Sequence, residues 1–210
     1  MARADIVSGA LRGPALLELL RSVPLSDRDA WVDEVLGIEA APPDDEPGLP
    51  RGAVPYLPCG VDEIVTMVLE LPLRPDDELV DLGSGLGRVV LLGHLLSGAR
   101  ARGVEIQEHL VRAARAYATE LALVGVSFVR GDAADPATDI DGSVFFLYAP
   151  FNGQMLARVL RRLRDVAGAR PIVLCAVGLE LPDEPWLERK PTSNVALALY
   201  HSRVAGVPRR

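Results

Sequence analysis

A chain of 210 residues, 49% of them apolar and 24% charged, has the size and composition of one globular domain with a sizeable core and a modest extension. Its longest apolar runs fall far below the roughly 18 residues of a membrane span, and its two cysteines, Cys59 and Cys175, are too few for a disulfide framework. The formal charge of −7 disfavours bulk binding to nucleic acid, because an acidic chain is a poor counterion for phosphate. That charge is uneven, with five arginines against ten carboxylates in residues 1–60. No signal-type apolar core follows Met1, so a cytoplasmic protein without a membrane anchor is expected. No Cys/His spacing resembles a zinc site, and no metal ligand is assigned; both cysteines read as small buried apolar residues.

Along the chain, Pro14 opens a short amphipathic helix ending near Ser22, and Ser26 to Leu36 forms another, capped by Ser26 or Asp27. Prolines 42, 43, 47 and 50 then break both periodicities, which makes 41–50 a linker or an extended crossing segment. The expected organisation is an N-terminal helical extension over 1–54 and a main domain over 55–210. From Val61 the pattern alternates: helix 61–70, strand 78–82, helix 86–97, strand 101–105, helix 107–123 and strand 126–130. Strand 143–149, helix 153–166, strand 170–177, a strand-like stretch near 185–190 and a final strand near 194–202 complete it. Arg158, Arg161, Arg162 and Arg164 lie beside the buried stripe Leu156, Val159, Leu160 and Leu163 and read as a solvated helix face. Alternating strands and helices imply a mostly parallel sheet covered on both faces. Right-handed crossovers then bring the strand C-termini to one edge, where ligands bind.

Three acids fall on that edge: Asp81, Glu105 and Asp132. The first belongs to Leu79-Val-Asp-Leu-Gly-Ser-Gly-Leu-Gly-Arg-Val-Val-Leu91, an apolar strand leading through Gly83, Gly85 and Gly87 into an apolar helix. Glycines at these positions let the backbone turn tightly and approach a ligand closely. A dinucleotide fingerprint needs Gly-x-Gly-x-x-Gly, but Arg88 fills the position of its third glycine, which counts against an NAD(P)-dependent enzyme. Asp81 would repel a diphosphate and suits a cationic ligand such as S-adenosyl-L-methionine (SAM), which carries an ammonium and a sulfonium.

Over roughly residues 55–202 the chain resembles the class I SAM-dependent methyltransferases. The resemblance rests on Asp81-Leu-Gly83-Ser84-Gly85-Leu-Gly87, on Gly103-Val-Glu105-Ile106 and on Val129-Arg-Gly-Asp132-Ala133. It implies a Rossmann-like, seven-stranded, mostly parallel α/β sheet closed by an antiparallel hairpin, with helices on both faces and an N-terminal helical cap. It also implies SAM as cofactor, with Glu105 at the ribose hydroxyls, Asp132 at the adenine amino group and the Ala133 N–H at the ring. Tyr56, in Val54-Pro-Tyr-Leu-Pro58, stands where related small methyltransferases, protein lysine enzymes among them, carry a Tyr-x-Pro that closes over the cofactor. Local likeness to Dot1-like lysine methyltransferases is confined to little more than Asp81–Leu91.

The acceptor is less legible. Tyr148-Ala-Pro-Phe151, after the fourth strand, looks like a degenerate Asn-Pro-Pro-Tyr motif without its first Asn, so Tyr148 is the candidate that positions the acceptor and nitrogen is slightly favoured. The acceptor could be a protein side chain or a small-molecule amine. A small-molecule O-methyltransferase, or a SAM-binding sensor or partner subunit without catalysis, are the alternatives. His94 reads as core, while His109 and His201 have no pattern that makes either a base.

Overall fold

The computed structural model describes residues 1–38, 49, 56–148 and 153–203. Seven strands form one sheet: β1 (Glu78–Leu82), β2 (Arg100–Glu105), β3 (Val126–Arg130), β4 (Val144–Tyr148), β5 (Val173–Val177), β6 (Leu187–Lys190) and β7 (Leu197–Ser202). Their order is β3-β2-β1-β4-β5-β7-β6; the first five run parallel, and β7 pairs antiparallel with both β5 and β6. This is the mostly parallel α/β sheet with a closing hairpin expected from the sequence. Among the described residues no helix is long and apolar enough to cross a membrane.

Period-two alternation sorts the strand residues between two cores. Leu79, Val144, Phe146, Cys175, Val177, Leu197 and Leu199 face one; Val80, Leu82, Phe145, Leu147, Leu174, Ala176, Ala198 and Tyr200 face the other. The first face is covered by α4 (Val61–Glu70), α5 (Arg88–Ser97) and α6 (Glu108–Glu120) together with the N-terminal helices. Those are α1 (Ala2–Val7), α2 (Gly13–Ser22) and α3 (Arg28–Leu36), whose Ile6, Leu16, Leu20, Val32 and Leu36 join the same core as Val61, Ile64 and Met67 of α4. Helix α1 has no counterpart in the sequence reading, being a turn and a half long with one buried residue, Ile6. Helix α3 is preceded by a 3₁₀ turn, Leu25–Asp27, and although Asp27 holds its N-cap position neither Ser26 nor Asp27 makes a side-chain capping bond; Ser26 instead donates to Asp27 Oδ1 at 2.8 Å. The proline-rich stretch read as a linker lies, apart from Leu49, outside the described residues.

The second face is covered mainly by α7 (Gly153–Ala169), through Leu156, Val159, Leu160, Leu163 and Ala167, with Ala133, Ala134 and Ile140 of the β3–β4 connection. That connection, 131–143, forms no helix, so its carbonyls need partners from elsewhere. Arg162 supplies them, donating to Ala133 O at 2.9 Å and Thr138 O at 2.7 Å, and Arg170 donates to Gly142 O at 2.9 Å. Arg158, Arg161 and Arg164 are exposed as expected, but Arg162 is half-buried and pins a loop. Arg162→Ala should therefore lower the free energy of unfolding by about 2 kcal/mol, the cost of stranding two partly buried carbonyls. Arg161→Ala should change it by less than about 0.5 kcal/mol. Urea unfolding of the two variants checks this, and equal midpoints would show the Arg162 bonds to be worthless.

Candidate cofactor site

Parallel pairing sets the C-terminal ends of β1 and β2 side by side, with Leu82 opposite Val104. The turn after β1 is therefore laid across the end of β2, where the N–H groups of Gly83 and Ser84 both donate to Val104 O, at 2.8 and 3.0 Å. Gly83, Gly85 and Gly87 all have positive φ, at 91°, 51° and 86°. Space adds to the requirement: a Cβ at Gly87 would lie 2.6 Å from the Phe128 ring, and one at Gly85 would run into the ring of Tyr56. The loop then feeds α5, whose first residue is Arg88.

Glu105 closes the loop from below. Its carboxylate is buried and accepts three backbone N–H groups, from Gly85 at 2.9 Å, Ile106 at 2.8 Å and Gln107 at 2.9 Å. The acid expected at a ribose is thus also the anchor of the glycine loop. Asp81 contrasts with it: at 3% exposure it has no hydrogen-bond or ion-pair partner among the described residues. Burial, and then the Glu105 carboxylate, push the Asp81 carboxyl up to about 8. Ser84 is buried too, and its Oγ has no hydrogen-bond partner among the described residues.

Tyr56, Asp81, Gly83, Ser84 and Tyr148, scattered over 93 positions of sequence, line one small cavity of about 20 Å³ together with Cys59, Arg88 and Phe146. That volume suits about one water. Burial raises the phenol of Tyr56 to about 12 and also raises that of Tyr148. Asp132 lies at the neighbouring strand end, where Oδ1 accepts the Ala134 N–H at 2.8 Å and Oδ2 lies 3.5 Å from Arg158 Nη2; Ala133 beside it is buried. Residues 149–152, the rest of the sequence's acceptor motif with Asn152, lie outside the described residues.

No histidine reaches this cavity. His94 is buried on α5 with Nδ1 2.7 Å from Ala99 O, and burial lowers its pKa. His109 is half-buried at the start of α6, and His201 is half-buried on β7 with its pKa lowered by burial. Sequence reasoning missed Arg88, which it used only to exclude a dinucleotide. Arg88 is 5% exposed, and its guanidinium donates to both carboxylate oxygens of Asp33 (Nε to Oδ1 at 2.8 Å) and to Cys59 O at 2.7 Å. The available signal was a single cation at the head of an otherwise apolar helix, Arg88-Val-Val-Leu-Leu.

A model of the family described as histone methylation protein DOT1 matches residues 59–128, the stretch from α4 through the glycine loop into β3. No curated protein matches the chain. Among solved structures, an RNA methyltransferase from Salinibacter ruber in complex with S-adenosyl-L-homocysteine is 26% identical, covering 73% of this chain and 98% of its own, with a TM-score of 0.51. A SAM-dependent methyltransferase from Aquifex aeolicus, 16% identical over 66% of this chain and 88% of its own, shares the fold at a TM-score of 0.50. The PH0226 protein from Pyrococcus horikoshii, 18% identical over 68% and 90%, does so at 0.51. Sheet order, glycine loop and these likenesses define a SAM-dependent methyltransferase of class I, with a Rossmann-like sheet. The match to DOT1 reaches well beyond the Asp81–Leu91 run to which the sequence reading confined it, and it stops within β3, short of β4 and the rest of the sheet.

Two outcomes follow from the carboxylate pair. Unfolded Asp81 ionises near pH 4, so between about pH 4 and 8 the unfolded chain releases a proton that the folded chain keeps, and stability falls as pH rises through that window. In ligand-free protein Asp81→Asn should thus gain on the wild type across this range, from nothing near pH 4 to its full advantage above pH 8. Thermal unfolding across that range checks it, a constant difference meaning that Asp81 is ionised throughout. Glu105→Ala, by contrast, strands three N–H groups that a charged acceptor satisfied and should destabilise by about 3 kcal/mol, measured by denaturant unfolding.

Proposed function

We propose that this methyltransferase acts on a nitrogen acceptor, a protein side chain or a small-molecule amine, and holds SAM between Tyr56 and the ends of β1, β2 and β3. The observation that carries the reading is the buried, unpartnered carboxyl of Asp81 in a cavity shared with Ser84 and Tyr148. Burying an acid without a donor is costly, and an ammonium set against it offsets that cost with a charge-assisted hydrogen bond. The orphaned Ser84 Oγ offers a second polar atom for the same end of the cofactor. Glu105, held by Gly85, Ile106 and Gln107, retains acceptor capacity for ribose hydroxyls. Asp132 and the backbone of Ala133 serve the adenine, and Ile106 flanks it. When bound, SAM supplies a methyl group on a sulfonium, open to in-line attack.

The chain's own task is then alignment more than proton transfer. Both phenols stay protonated at neutral pH, since burial raises Tyr56 and Tyr148. Tyr148 therefore orients the acceptor as a hydrogen-bonding group and does not act as a base. The charges of Glu63 and Asp29 reach both Tyr148 and Cys59, whereas Arg88, whose charge also acts on both, is engaged by Asp33. Acidic surroundings of this kind favour an amine over a phosphate-bearing acceptor. The Salinibacter ruber relative acts on RNA; a chain of net charge −7 is a poor match for a polyanion.

The test is transfer of label from methyl-tritiated SAM to protein, peptide, RNA and small-metabolite pools, with the labelled product and atom identified. Label on nitrogen is expected. Label on oxygen or RNA, or none in any pool, would overturn the acceptor reading. With the acceptor in hand, Tyr148→Ala should leave S-adenosylhomocysteine affinity within about threefold, under roughly 0.7 kcal/mol, while slowing transfer at least tenfold through lost alignment.

A further inference from the structure

We propose that Arg88 is a positioning residue for the cofactor site: its guanidinium clamps helix α3 and the strap of residues 57–60 onto the glycine loop, and thereby seats the ring of Tyr56 against Gly85. The proposal rests on the cofactor reading above. Arg88 follows Gly87 directly, so its backbone is part of the loop's exit. Its helix is otherwise apolar and buried from Val89 to Leu92, where an unpaired cation would be strongly destabilising. All three guanidinium nitrogens are used: two form a fork on the Asp33 carboxylate, and Nη1 donates to Cys59 O while lying 3.6 Å from Asp29 Oδ2. A planar fork that also serves a third acceptor is a geometry that arginine has and lysine lacks.

The partners explain what the clamp holds. Asp33 and Asp29 sit on α3; Asp29 also accepts the Val61 N–H at 2.8 Å, at the first residue of α4, and Arg28 donates to Asp62 at 2.6 Å. The strap is thus fixed at Cys59 by Arg88 and at its junction with α4 by Asp29. Three residues upstream of Cys59, the Tyr56 ring occupies the space that a Cβ on Gly85 would need. The charges of Arg88 and Asp33 both act on the Tyr56 phenol. One buried ion pair therefore joins the acidic N-terminal helices, the strap and the loop that receives the cofactor.

A purely structural ion pair would cost stability and nothing else. Arg88→Lys and Tyr56→Ala, singly and combined, separate the two roles through titration with S-adenosylhomocysteine and thermal unfolding of the same samples. Each single variant should weaken binding about tenfold. The double variant should bind no more than about twofold worse than Tyr56→Ala alone, because Arg88 acts through the ring that is already gone. In ligand-free Arg88→Lys, the backbone amides of Leu57, Cys59 and Gly60 should exchange hydrogen faster than in the wild type. Asp33→Asn, which removes the anionic acceptor from a partly exposed position, repeats the comparison should Arg88→Lys not fold. Wild-type affinity in variants that melt lower, or affinity losses that add, would overturn the proposal. If the wild-type chain itself binds no S-adenosylhomocysteine, the cofactor reading falls and takes this one with it, whereas intact binding with additive losses removes only the role of Arg88.

Discussion

Three backbone N–H groups converge on the carboxylate of Glu105, and the cofactor end of the molecule is organised around that convergence. Two come from the chain just after β2 and the third from Gly85, twenty residues earlier. The contact exists because β1 and β2 are parallel neighbours in register, which brings the loop leaving one strand over the end of the other. With Val104 O accepting the N–H groups of Gly83 and Ser84, three consecutive N–H groups of the loop, from Gly83, Ser84 and Gly85, are anchored at the end of β2, while Ile106 and Gln107 hold the Glu105 carboxylate in place. A loop tied this way holds Gly83, Gly85 and Gly87 in the left-handed region that glycine adopts without strain.

The same arrangement leaves a second carboxyl stranded. Asp81 lies close enough to Glu105 for its charge to be felt, but the nearby backbone N–H groups of Gly83, Ser84 and Gly85 are committed to Val104 O and Glu105. Two neighbouring acids thus differ in kind: one is satisfied by the backbone, the other is held neutral up to about pH 8 by burial and by its neighbour. A buried acid of this sort weakens the empty protein and strengthens the case for a cationic ligand, because the cost of burying it is recovered only when a donor arrives.

The N-terminal helices are not an appendage to this arrangement. Their apolar residues complete the core over α4 and α5, and their acids receive the one cation at the head of α5. The excess of carboxylates in residues 1–60 is thereby partly structural: Asp29 and Asp33 neutralise Arg88, and Asp62, just beyond, is met by Arg28. On the opposite face, arginines of α7 do the comparable work for the connection between β3 and β4.

Helices α4 to α7 and the strands of the sheet were legible within a few residues, because period 3.6 and period 2 are local properties that burial imposes on each segment separately. The glycine loop and the three strand-end acids were legible for a related reason: a tight turn before a helix demands glycine, and a parallel sheet sends its strand ends to one edge. Pairings across large separations were not. Nothing within a few positions of Arg88 names Asp33, 55 residues away, and nothing near Arg162 names the carbonyls of Ala133 and Thr138. Glu105 reads identically as a ligand group or a loop anchor until Gly85 is brought against it, and Asp81 reads as an ordinary acid until the sheet buries it. A side chain's type is written in the chain, but its partner, its solvation and so its charge are set by what folding brings within 3 Å, and only the tertiary structure decides that.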